Sequence, residues 1–282
     1  MIKKIASALL ISAFIMPGFL HAQELPMPSP SATVKQTVGL TKVEINYSRP
    51  GVKDRVIFGE LVPYNKMWRT GANKATSISF SDDVKINGSE LKAGTYAVFT
   101  IPGETEWEVI FNNNLEQWGT SSHKDEEDVL KVKVGSKAAE FIESMHIYFD
   151  DLRDNTASIN LHWEKTRISI PVEVEVSEKA QTNIQAAIKE AEGANSTYRN
   201  AARYYLNNNL DVVQALKWAQ KSVDMGKEYW NMTTLARAEH ANGLTKQAIK
   251  TAEEAKVLAT TAKSDFYIKE NTKNIAEWKA KK

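Results

Sequence analysis

The chain changes period once. From Ser31 to about Val176 apolar and polar residues alternate in short runs. "TKVEINY" puts Val43, Ile45 and Tyr47 on one side, and "ATSISFSDDVKIN" puts Thr76, Ile78 and Phe80 on one side, then Val84 and Ile86. "GTYAVFTIP" and "WEVIFNN" form a pair around Pro102-Gly103-Glu104, and "VLKVKVG", "MHIYFDD", "ASINLHWEK" and "ISIPVEVEV" continue the series. Runs of four to eight residues rich in Val, Ile, Thr and aromatics, split by Gly, Asn, Asp and Pro, are strands. With no helical pattern between them they predict an antiparallel sandwich or barrel. Pro171 marks an edge or a bulge in the last run.

Near Ser177 the period becomes helical. "SEKAQTNIQAAIKEAEGA" starts at Ser177, read as an N-cap, and four segments follow between "STYRNAARYYLNNN" and "LTKQAIKTAEEAKVLA". Aligning Ala201-Ala202-Arg203 with Leu235-Ala236-Arg237 gives a repeat of about 34 residues, like tetratricopeptide-type hairpins. A last helix is expected from Phe266 to Trp278. The aromatics Tyr204, Tyr205, Trp218, Tyr229 and Trp230 fall at helix-contact spacing, which favours core over a groove lining. The predicted fold class is therefore α+β as a two-domain chain, an antiparallel β-sandwich or barrel-like domain at 23–176 followed by an all-α helical-hairpin domain at 177–282.

The N-terminus has its own pattern. Lys3 and Lys4 precede an apolar run, Pro17 and Gly18 break it, and Ala22 offers the small residue of a cleavage site. This reads as a secretory signal peptide at 1–22, the run being too short for a membrane span. Losing Lys3 and Lys4 takes the net charge from +1 to −1, so nucleic acid is not an expected partner. The chain has no cysteine. That excludes a lipobox anchor, disulfides, thiolate metal sites and cysteine nucleophiles, and the expected location is the periplasm or the exterior.

The run from "YSRPGVKDRVIFGELVPYNKMWRTGANKATSISF" through "GTYAVFTIPGETEWEVIFNN" to "QWGT" resembles the exported bacterial family known only as domain of unknown function 2911. The resemblance begins at "SPSATVKQTVG" and ends near Val176. Its landmarks are Ser48-Arg49-Pro50, Phe58-Gly59, Trp68 to Asn73, Gly94-Thr95-Tyr96, Ile101-Pro102-Gly103 and Gln117-Trp118-Gly119. Helical-repeat tails are common in similar chains. The family carries no reaction to transfer.

Candidate chemistry centres on Arg49, Arg55, Trp68, Arg69 and Asn73, with Tyr47, Lys53 and the loop residue His123 nearby. Arginine forks match carboxylate, phosphate or sulfate, Gly71 could open a backbone nest, and Trp68 could stack on a sugar. The competing use is structural: Arg69 paired with Glu60 or Asp54, Asn73 bonded to a turn, Trp68 plugging one end of the sandwich. Loops of this composition serve turn chemistry at least as often as binding. His146, His162 and Glu164 lack metal-ligand spacing, and Asp125-Glu126-Glu127-Asp128 reads as a solvated turn rather than a calcium loop. No catalytic elbow or phosphate loop occurs, and no cofactor or metal is expected. The favoured reading is a binding or interaction module, with a small anionic or carbohydrate-like ligand on the strand domain and a protein or peptide partner on the tail. The alternative is an uncharacterised envelope enzyme, such as a hydrolase acting on a sugar or cell-envelope component.

Overall fold

The computed structural model describes residues 25–190 and 195–280, so the signal segment read at 1–22 lies outside the described residues. The chain divides into two compact units. Among the described residues, one takes 25–37, Thr41–Leu152 and Thr156–Glu173; the other takes Val38–Leu40, Arg153–Asn155 and those from Val174 onward.

The first unit is built on strands: β1 (Ser31–Val38), β2 (Thr41–Ser48), β3 (Thr76–Phe80), β4 (Val84–Ile86), β5 (Ser89–Leu91), β6 (Gly94–Ile101), β7 (Glu106–Asn112), β8 (Asp128–Asp150) and β9 (Thr156–Val174). Their order is β1-β2-β3-β6-β7-β8-β9-β4-β5, and β2–β3, β3–β6, β4–β5, β6–β7, β7–β8 and β8–β9 pair antiparallel. The long β8 makes this one sheet into two layers. Its first residues, Asp128–Gly135, pair with β7, and the stretch from Ser136 to Asp150 pairs with β9. Ile45, Ile78 and Val98 of one layer face Ile147, Leu161 and Ile168 of the other around an apolar gap of about 30 Å³. The alternation that predicts strands is the same alternation that fills this core: Val43, Ile45, Tyr47, Ile78 and Phe80 are all buried.

The sequence pattern splits β8 and β9 into four strands, whereas the structure has two. "SKAAEFIES" between "VLKVKVG" and "MHIYFDD" is rich in Ala, Glu and Ser, which are poor strand formers. Pairing overrides that preference. The register against β9 slips between Ala138 and Ile142 and again before His146, so β8 bulges there. Residues 50–52 fill the gap: Val52 N donates to Glu143 O (2.8 Å) and Met145 N donates to Pro50 O (3.0 Å). Pro171 lies past the last β8–β9 pair at Ile168 and needs no donor there; its carbonyl accepts Asn87 N (2.8 Å).

The second unit holds α1 (Ser177–Glu190), α2 (Asn195–Asn207), α3 (Val212–Asp224), α4 (Tyr229–Ala241), α5 (Thr245–Thr261) and α6 (Asp265–Ala280). From α2 to α6 each helix packs on the next. The starts of α2 and α4 match the repeat spacing read from the sequence. Ala201, Ala202, Ala215 and Ala219 are fully or almost fully buried, letting backbones approach, and Tyr205 meets Trp218 edge-on at 4.9 Å. Tyr204, Tyr229 and Trp230 are only half-buried, so part of the aromatic set expected in the core reaches the surface. Ser177 does not act as the cap. The Glu175 carboxylate accepts Ser177 N (2.7 Å) instead, satisfying an orphan donor at the helix start. Asp211 caps α3 through Val213 N and Gln214 N. No helix among the described residues is long and apolar enough to cross a membrane.

Candidate functional site

The loop from Met67 to Thr76 leaves the first layer beside β6 and returns as β3. Trp68 and Thr100 exchange both backbone hydrogen bonds (2.7 and 2.9 Å), and Thr76 N closes the loop on Arg69 O (3.3 Å). Between these anchors Thr70, Gly71 and Asn73 have φ of +58°, +146° and +58°. A left-handed Thr is uncommon, since its β-branch crowds the backbone, and here several bonds hold it. Thr70 Oγ1 donates to Thr100 Oγ1 (3.1 Å), and Thr76 Oγ1 donates to Thr70 O. A Cβ on Gly71 would lie 3.2 Å from Ser48 O and 3.3 Å from Thr76 Oγ1. Gly71 therefore serves close packing of the protein on itself.

Most of the polar groups singled out in the sequence are bonded inside the fold. Trp68 is 8 % exposed and its indole N–H donates to Gly71 O (3.0 Å). Its ring stacks on Trp163 (5.9 Å, 21°) and meets Phe58 and Trp107 edge-on, between the two layers. Tyr47 is buried, and its hydroxyl accepts Ile147 N (3.1 Å). Arg49 Nε donates to Met145 O (2.9 Å), in the bulged part of β8. Arg55 bonds the carbonyls of Val52 (2.9 Å) and Gly51 (2.7 Å). Asn73 Nδ2 reaches Ser29 O (3.1 Å) and Ser48 Oγ (3.2 Å).

Arg69 is different. It is half-buried, its Nε is buried without a hydrogen-bond partner, and no ion pair with Glu60 or Asp54 forms among the described residues. Met67 packs with Ala75, Ala97, Phe99 and Ile110, on the opposite side of the sheet from Trp68 and Thr70. By alternation Arg69 follows Met67 to that outer side.

His123 is on the outer side too, and so does not share a pocket with Trp68. Its ring packs edge-on against Phe99 (5.0 Å), and its Nε2 donates to Asp128 Oδ1 (2.8 Å). Asp128 also accepts from Asn112 Nδ2 (2.7 Å) and pairs with the Lys131 ammonium (2.9 Å). Burial alone would raise the Asp128 pKa; the bonds from Asn112, Lys131 and His123 together outweigh it and hold the carboxyl below its ordinary value. The acidic run is thus not wholly solvated: Asp125–Glu127 form a 3-10 turn, while the Asp128 side chain is buried. His123, Asp125 and Asp128 bring one ligand atom each within 4.8 Å of one another. The Lys131 ammonium, 2.9 Å from Asp128 and 4.0 Å from Asp125, already supplies a positive charge there. His146 and His162 pair across β8 and β9. Burial, then electrostatic repulsion from Arg49 and His162, lowers the pKa of His146.

Sequence reasoning missed Asn112 and Asp128 as the organisers of this corner, and Trp118 as its exposed ring. The signal was present in Gln117-Trp118-Gly119, a landmark whose glycine and flanking polar residues suit an ordered turn.

The family described as "Protein of unknown function (DUF2911)" matches residues 29–172, just over half of the chain. The chain belongs to this family. The DUF2911 match covers both loops of the site, with Trp68 to Thr76 and Asn112 to Asp128 inside it. No curated protein and no solved structure matches the chain.

Proposed function

We propose that the DUF2911 unit is a binding module and that Arg69 holds a small anion. The observation that supports this is the unspent guanidinium: Arg49 and Arg55 bond backbone carbonyls, whereas Arg69 Nε is buried with no acceptor. A buried charged donor left unmade costs more than the roughly 1–3 kcal/mol of a neutral one, and an anion's oxygens relieve that cost with paired, charge-assisted bonds. The strained, many-bonded loop from Trp68 to Thr76 holds the backbone of Arg69 in place before any ligand arrives, as preorganised sites require. Thermal unfolding of the full chain in acetate, sulfate and phosphate tests this. An anion at 100 times its dissociation constant adds about 2.7 kcal/mol to the wild type and nothing to Arg69→Met. Equal stabilisation of both proteins places the anion elsewhere.

For the helical unit the reading is a protein or peptide partner. Arg203 on α2, which is exposed, supports it, whereas Arg199 and Arg237 already bond Tyr267 and Asn207 within the unit. Arg203→Glu in the full chain should lose a partner captured by the wild type; an unchanged set of captured proteins goes against it. The signal-like N-terminus supports export, and mature protein beginning at Gln23 is the expected mass-spectrometric result. Recovery of a chain still carrying Met1 from the envelope fraction contradicts cleavage.

A further inference from the structure

Trp118 is 69 % exposed. A single exposed apolar side chain is ordinary; the way this one is held is not. The preceding residue, Gln117, is fully buried, and its Nε2 donates to Asn112 Oδ1 (2.9 Å) and Asn114 O (2.9 Å). Asn114 N donates to the same Asn112 oxygen (2.9 Å), and Asn112 is fixed in turn by Asp128. Gln117 O accepts Ala75 N (2.9 Å). The backbone that carries the indole is therefore held by its neighbours, so a ligand that stacks on the ring need not order the loop as well.

The same bond links Trp118 to Arg69. Ala75 joins Gln117, and the next residue, Thr76, joins Arg69 O. The exposed ring and the unspent guanidinium thus stand on adjoining segments of one bonded corner. The other cation of the loop, Lys74, is exposed and pairs with Glu116 at the surface (2.9 Å), which leaves Arg69 as the loop's half-buried cation, a match for a single negative charge. A flat aromatic face suits the apolar face of a sugar ring, and a guanidinium fork suits a carboxylate. We propose that Trp118 and Arg69 together bind a sugar ring bearing a carboxylate, a uronic acid unit. This rests on the anion reading of Arg69 given above.

The test is calorimetric titration of the full chain with sodium glucuronate, sodium acetate and methyl glucoside, using wild type, Trp118→Ala and Arg69→Met. Glucuronate should bind wild type about tenfold more tightly than either acetate or the neutral sugar, the scale of one aromatic stacking contact. Trp118→Ala should lower glucuronate affinity to that of acetate with an unchanged melting temperature, and Arg69→Met should abolish both anions. Glucuronate no tighter than acetate, or unaffected by Trp118→Ala, overturns the sugar assignment and leaves the Arg69 anion site standing. Methyl glucoside binding as tightly as glucuronate also overturns the uronic acid assignment, and no anion binding that depends on Arg69 overturns both.

Discussion

Replacing Arg49 and Arg69 separately by Met separates a structural guanidinium from one kept for a ligand. Met preserves much of the apolar stem and removes only the charged head. Arg49→Met deletes the Nε–H to Met145 O bond of 2.9 Å and leaves that carbonyl short of a charged donor. Hydrogen bonds to charged groups contribute about 1.5–3 kcal/mol, and that is the expected loss. Arg69 Nε has no acceptor to lose, so Arg69→Met removes a desolvated, unmatched cation. The expected change lies between neutral and about 1 kcal/mol of stabilisation. The assay is urea unfolding of the full chain in a buffer free of carboxylates, sulfate and phosphate. Far-ultraviolet circular dichroism at the strand and helix minima follows the two units separately, since they need not unfold together. A loss for Arg69→Met as large as that for Arg49→Met refutes the reasoning, because the Arg69 guanidinium would then be bonded within the fold.

Two other outcomes follow from the same corner. Asp128 has a folded pKa below its unfolded value, so its contribution to stability is present above about pH 4 and is lost as pH falls through the folded pKa. Asp128→Asn should flatten the acid limb of the stability profile of the strand unit, and an unchanged limb contradicts the assignment. Gly71→Ala puts a Cβ 3.2 Å from Ser48 O at a φ of +146°; a loss of about 1–3 kcal/mol in urea unfolding is expected, and no loss shows that the loop relaxes.

The strands and helices were legible because alternation and helical period come from burial, and burial is local in sequence. Where strands end was less so. Nothing in "SKAAEFIES" announces a strand, and its pairing with β9 and residues 50–52 comes from distant segments. The candidate site shows the same limit. Arg49, Arg55 and Arg69 are alike as letters, and their difference depends on whether a carbonyl from β8 or the adjoining turn lies within reach. Trp68 and Trp118 likewise differ only in side: one stacks on Trp163 between the layers, the other projects from the loop after β7. The family landmarks located both loops, but which tryptophan is exposed depends on the register of β6 against the Trp68 segment.

The most direct test of the central claim is a proton–nitrogen spectrum of the arginine Nε–H groups, with the Arg69 signal assigned by its disappearance in Arg69→Met. On titration with sodium glucuronate the Arg69 signal should shift and saturate while those of Arg49 and Arg55 stay in place. An Arg69 signal that does not move through the titration contradicts the account.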